Sequence, residues 1–218
     1  MIVFVPVHDA ETEANLRVVS AITLPAGTVA LIGREAERSA LLASLTSTPE
    51  SSMRPLFAMG HGSPDRLHRD ATSVALTVDD VPAIGPRSVF AYACHTATHL
   101  GREAGRHGIN WWGYTGAISA PADHPRLVFV FARVFGLILD TFPCASTMSQ
   151  IREALDHLAR ACQDAADEVD LMAASDASIS VLEAYYALHH LWDRLRVWLA
   201  GAAEPMMHPN AAPPILLV

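Results

Sequence analysis

The chain alternates short, unbroken apolar runs with longer stretches of helical spacing. Residues 2–7, 29–32, 56–59, 89–93 and 109–114 are apolar throughout or nearly so and are bounded by Gly, Pro or polar residues. Such runs predict strands buried on both faces of a parallel sheet. Between them, residues 10–20 have helical composition, with Leu16 and Val19 facing inward, and residues 34–45 gather Ala36, Leu41, Leu42 and Leu45 on one broad apolar face. Pro25-Ala26-Gly27 marks a turn, residues 46–54 a polar loop, and residues 63–70 a second polar, exposed loop. Helices are expected over 96–107 and 124–139. Another follows Thr147-Met148-Ser149-Gln150, which has capping-box spacing and leads into Ile151, Leu155, Leu158 and Cys162. A last helix over 178–199 sets Leu182, Tyr185, Leu188, Trp192, Leu195 and Leu199 on one face, which packs on the sheet or on the preceding helix, or forms a homodimer surface. Strands alternating with helices define an α/β fold, a mostly parallel sheet flanked by helices with helical additions toward the C-terminus.

Two of these strands run into reactive side chains. Leu56-Phe57-Ala58-Met59 leads to Gly60-His61-Gly62, and Val89-Phe90-Ala91-Tyr92-Ala93 leads to Cys94-His95-Thr96. Open α/β sheets bind ligands beyond the carboxyl ends of their strands. If the two strands are neighbours, His61 and Cys94 meet at that edge, and an imidazole beside a thiol suffices for nucleophilic catalysis. A helix starting at Thr96 would add the positive end of its dipole beside the thiolate. Three plainer readings stand beside this one. Cys94 is an inert core cysteine, His61 is a turn histidine, or the histidines and carboxylates after Gly60 (His61, Asp65, His68, Asp70, with Cys94, His95 and His99) bind a metal. Cys144 and Cys162 are assigned to packing.

The His61-Gly62 and Ala93-Cys94 pairs, each closing an apolar strand, resemble the two signatures of the caspase-like cysteine proteases, which include caspases, metacaspases, separases and bacterial CHAT proteases. Residues 74–81 resemble the strand and turn that CHAT domains place between the motifs, and the likeness covers residues 55–140. It implies a caspase-like domain over residues 1–200, with C-terminal helices at 146–200 and a Pro-rich apolar tail at 201–218. It also implies a cysteine endopeptidase that needs no cofactor, with Cys94 as nucleophile, His61 as general base, and the amides of Gly62 and Cys94 as oxyanion hole. Metacaspases carry an acid two residues before the cysteine for a basic P1 side chain; Tyr92 stands there instead, and its place in the motif implies a substrate-binding residue without that acidic selectivity. The resemblance then points to Asp123, in the loop after residue 114, as the substrate-binding acid. The alternative is that Asp123 caps the helix beginning near His124. The family further implies a protein or peptide substrate, a separate activator or sensor, and a bacterial stress or phage-defence setting. A catalytically silent interaction domain and a metal-dependent hydrolase remain the alternatives.

Composition narrows the classes. The 218 residues carry a net charge of −8, and all 15 basic residues are arginines with no basic cluster, which argues against nucleic-acid binding. Three irregularly spaced cysteines argue against a disulfide framework and for a reducing, cytoplasmic location. The N-terminus lacks a basic n-region, and the most apolar segment, residues 127–139, is too short to cross a bilayer and contains Arg133, so no membrane association is expected. The apolar end at 215–218 suits addition to a sheet edge or docking of a partner.

Overall fold

The computed structural model describes residues 1–46 and 54–212; most of the predicted loop at 46–54 and the apolar end at 215–218 lie outside the described residues. In chain order the strands are β1 (Ile2–Val5), β2 (Val29–Ile32), β3 (Leu56–Met59), β4 (Gly62–Ser63), β5 (Arg66–His68), β6 (Val74–Thr77), β7 (Ser88–Tyr92), β8 (Asn110–Tyr114) and β9 (Leu195–Trp198). The helices are α1 (Ala10–Ser20), α2 (Arg38–Thr46), α3 (Val81–Ile84), α4 (His99–Arg106), α5 (Pro125–Thr141), α6 (Met148–Ala173) and α7 (Val181–Asp193). One sheet runs β2-β1-β3-β7-β8-β9, parallel throughout except at the β8–β9 pair. The expected α/β architecture, a mostly parallel sheet flanked by helices, is what the chain adopts.

Alternation along each strand divides the core into two layers. Val3, Phe57, Phe90, Trp112 and Tyr114 face α1, α5, α6 and α7. Ile2, Phe4, Leu56, Ala58, Val89, Ala91 and Trp111 face α2, α3, α4 and the small sheet. Phe57 and Phe90, paired in register across β3 and β7, stack with ring centroids 5.5 Å apart. This register brings the ends of β3 and β7 level, and the amide of Gly60 donates to the carbonyl of Tyr92 at 3.1 Å.

The predicted helix over 178–199 divides in two. α7 stops at Asp193, and Leu195-Arg196-Val197-Trp198 forms β9, antiparallel to β8 with Trp198 opposite Trp111. Its leucine, valine and tryptophan fit a pleated surface as well as a helix face, and pairing with β8 decides. The expected apolar face of α7 shifts accordingly. Ala184, Ala187, Leu188 and Leu191 are buried, whereas Leu182 and Tyr185 are exposed. Beyond β9 the chain returns, Met206 bridging to Val197, and buried Arg196 donates to the carbonyl of Ala212.

Residues 63–70 are not a loop. β4, β5 and β6 form a small antiparallel sheet anchored by buried Leu67, a strand too short to carry a visible alternation. α2 begins at Arg38, after a short 3₁₀ turn at Gly33–Glu35, with Leu42 half-buried beside buried Leu41 and Leu45. In α1, Ala14, Val18 and Val19 are buried and Leu16 is half-buried against them. Among the described residues no helix is long and apolar enough to cross a membrane.

Candidate active site

The parallel strands β1, β3 and β7 end at one edge, and each leads there to a candidate side chain. β1 passes through Pro6, Val7 and His8 to Asp9, the N-cap of α1. Asp9 divides its carboxylate between two tasks. Oδ1 accepts from the amide of Thr12 at 2.9 Å and from the Thr12 hydroxyl at 2.7 Å, closing the helix cap. Oδ2 lies 2.7 Å from Nε2 of His61 and 3.1 Å from Nε2 of His8. Burial raises the Asp9 carboxyl, but the Thr12 and His61 hydrogen bonds outweigh it and hold it down at about 2. Asp9 is therefore an anion at neutral pH, and an anion on Nε2 keeps the His61 proton there. Nδ1, which has no hydrogen-bond partner among the described residues, is left with its lone pair.

Asp9 is absent from the residues singled out in the sequence. The available signal was a His-Asp pair closing the first strand, with an Asp-x-x-Thr cap.

Cys94 follows β7 and is half-buried. Its Sγ receives the amide of Ile118 at 3.3 Å; no hydrogen bond joins it to His61 among the described residues. The next residue, His95, has φ 61°, the left-handed region that a non-glycine side chain adopts at a cost and that clusters at functional sites. His95 is held there by its amide to Gly116 and by its carbonyl, which accepts from the amide and hydroxyl of Thr98. The helix expected from Thr96 begins only at His99, and its first amides, His99 and Leu100, donate to the carbonyl of Pro64 at 3.1 and 2.7 Å. The helix terminus thus serves the β4–β5 turn and not the thiol.

Gly62 sits against the Cys94 backbone. A Cβ on Gly62 would lie 2.6 Å from the Cys94 carbonyl oxygen, 2.7 Å from Thr96 Cγ2 and 2.9 Å from Ala93 Cβ. His68 donates to the His61 carbonyl, so antiparallel alternation leaves Gly62 opposite Leu67 in a non-hydrogen-bonded pair, its N–H turned away from β5. The Cys94 amide has no protein acceptor among the described residues.

The loop at 117–123 is pinned from three sides. The Tyr92 hydroxyl donates to the Ser119 carbonyl, Arg194 donates to the Ala117 carbonyl, and the Ser119 amide donates to Nδ1 of His190 at 3.3 Å. Burial, then the charges of Arg194 and His189, depress His190 to about 4, so it is a neutral acceptor. Tyr92 is 2% exposed, and burial pushes its phenol well up. It shapes the loop from beneath and does not present its ring to a ligand, which corrects the expectation of direct substrate contact.

Asp123 lies at the end of this loop and does not cap the next helix. His124, not Asp123, caps α5, accepting from the Arg126 amide. The Asp123 carboxylate is paired with Arg17 at 2.7 Å. It rims a cavity of about 340 Å³ whose walls include Ala10, Ser119, Glu11, Glu183 and Tyr186. Ala10 and Ser119 are the chain neighbours of Asp9, which contacts His61, and of Ile118, whose amide reaches the Cys94 sulfur.

Among the described residues, the metal cluster after Gly60, the alternative reading, does not form. Asp65 is bound by Arg66, and Asp70 by Arg69 and the Thr72 and Ser73 amides. Of that set only His61 joins a group with metal-ligating spacing, and its companions are His8 and Asp9. Cys162 is buried as expected; Cys144 is exposed and does not pack.

No protein-family model matches the chain, and neither curated proteins nor solved structures give a match.

Proposed function

We propose that this protein is a cysteine endopeptidase of caspase-like type, with Cys94 as nucleophile, His61 as general base and Asp9 as the residue that positions the base. The observation that carries the reading is the Asp9–His61 contact at 2.7 Å on the same strand-end edge as a thiol, with Gly62 packed on the thiol's own backbone. His61 Nδ1 takes the Cys94 proton, and the thiolate attacks the substrate carbonyl carbon. The oxyanion accepts from the Gly62 and Cys94 amides. His61 returns its proton to the leaving amine as the C–N bond breaks. Water, deprotonated by His61, then releases the acyl group as an acid and restores the thiol.

The substrate side chain next to the scissile bond enters the cavity beside Ser119. Glu11 and Glu183 have no cation partner among the described residues, so they select a basic side chain there, while Asp123 is occupied by Arg17. The reading extends to a cytoplasmic protease under a separate activator, in stress or phage defence, with movement of the Ile118 loop freeing the sulfur for His61.

The test is labelling by a thiol-directed peptide probe in a Cys144→Ser background, since Cys144 is exposed. Labelling is expected to be lost in Cys94→Ala and strongly slowed in His61→Ala, with peptide hydrolysis lost in both. A folded Cys94→Ala protein that still hydrolyses peptides sinks the assignment.

A further inference from the structure

His8 has no part in the chemistry above, yet its Nε2 converges with that of His61 on one oxygen of Asp9. The three donor atoms, two imidazole nitrogens and one carboxylate oxygen, lie within 4.8 Å of one another. We propose that His8, Asp9 and His61 bind a zinc ion, and that the bound ion silences the Cys94–His61 pair.

The donor set selects the ion. Two imidazoles and a carboxylate suit Zn²⁺, whereas Mg²⁺ and Ca²⁺ take oxygen ligands. Tetrahedral zinc with bonds of about 2.0–2.1 Å needs its donors roughly 3.3 Å apart. The His61–Asp9 and His8–Asp9 separations of 2.7 and 3.1 Å would open by about 0.6 and 0.2 Å to reach this, and the two imidazole nitrogens lie within 4.8 Å of each other. Asp9 is already oriented for it. Thr12 holds Oδ1 through its amide and hydroxyl, which leaves Oδ2 as the single ligating atom and supplies the outer hydrogen bonds that metal-binding carboxylates take. The His8 side chain is 18% exposed and that of His61 39%, so an ion can enter, with water completing the coordination.

The silencing follows from proton placement. With Asp9 on Nε2, His61 carries its proton there and offers the Nδ1 lone pair to the thiol. With zinc on Nε2, the neutral ring must carry its proton on Nδ1, and that nitrogen can no longer accept one. Binding therefore moves the His61 ring proton from Nε2 to Nδ1 and fixes the unproductive tautomer.

Binding rests on the three donors alone; the silencing rests on the reading of Cys94 and His61 as nucleophile and base. The test is isothermal titration of chelator-treated, full-length protein with Zn²⁺, alongside the visible spectrum of the Co²⁺-substituted form. One ion per chain with a tetrahedral cobalt spectrum is expected. Cys94→Ala should bind unchanged, and His8→Ala and His8→Gln should each lose about tenfold or more in affinity. Absence of saturable binding, or wild-type affinity in both His8 variants, overturns the site. Probe labelling of Cys94 should be blocked by Zn²⁺, restored by chelator, and in His8→Ala blocked only at correspondingly higher Zn²⁺. Labelling indifferent to bound zinc, or hydrolysis that requires it, overturns the silencing. A Cys94 that never labels, even without metal, counts against the protease reading and leaves the titration to judge the site.

Discussion

His61 Nε2 lies 2.7 Å from Asp9 Oδ2 across a sequence separation of 52 residues. One carboxylate oxygen holds the imidazole while the other caps α1, so the rigidity of the helix start is passed to the His61 ring.

This double use can be separated by substitution. Asparagine caps a helix about as well as aspartate, so Asp9→Asn should keep its thermal midpoint. It should lose turnover by up to about 10⁴-fold, as when an orienting aspartate is amidated in a nucleophile–His–Asp triad. Its pH–rate profile should shift as well, which a purely structural role would not produce. Asp9→Ala should in addition lose about 1 kcal/mol of stability with the cap. Wild-type turnover with an unchanged pH profile in Asp9→Asn would remove Asp9 from the site.

Gly62→Ala puts a methyl 2.6 Å from the Cys94 carbonyl oxygen, a backbone atom that cannot swing aside. The strain should lower stability by about 1–3 kcal/mol and displace the Cys94 amide from the oxyanion, at a cost on the order of 10²–10³ in kcat. Denaturant titration and turnover of the same sample measure both. An Ala variant as active as wild type would mean that the Gly62–Cys94 contact is not part of the oxyanion hole.

P1 selection should follow the unpaired carboxylates. Peptide-library profiling is expected to give a basic preference that weakens in Glu183→Gln and in Glu11→Gln. Asp123→Asn, which breaks only the exposed pair with Arg17, should leave the preference in place and alter stability by no more than about 1 kcal/mol. An acidic or apolar preference in the wild type would move substrate recognition out of this cavity.

His190 should give the fold an acid-sensitive segment. Its folded value of about 4 lies below the ordinary 6.5, so between these pH values the unfolded chain binds a proton that the native one does not. Its contribution is full above pH 6.5 and is lost as pH falls toward 4. Urea unfolding from pH 7 to 4 should show a steeper loss of stability in wild type than in His190→Gln. Equal slopes would show that the Ser119 contact does not depend on a neutral imidazole.

The apolar runs at 29–32, 56–59, 89–93 and 109–114 announced the parallel strands, because a strand covered on both faces needs apolar residues at every position. The candidate residues His61, Gly62 and Cys94 stood out for the same reason, since each lies within three positions of the end of a buried run. Asp9 was not legible. Its run ends like the others, but its place beside His61 depends on β1 lying next to β3, a strand order that no local pattern encodes. Residues 195–198 continue the apolar spacing of α7, and only the open edge of β8 makes them a strand. Asp123 reads as cap or specificity acid until Arg17, on a helix more than a hundred residues away in the chain, occupies it. The sequence by itself determined which segments are buried, because burial is written residue by residue in polarity. Tertiary structure alone decided which charged and hydrogen-bonding groups share a partner, because that depends on the order in which the sheet brings the strand ends together.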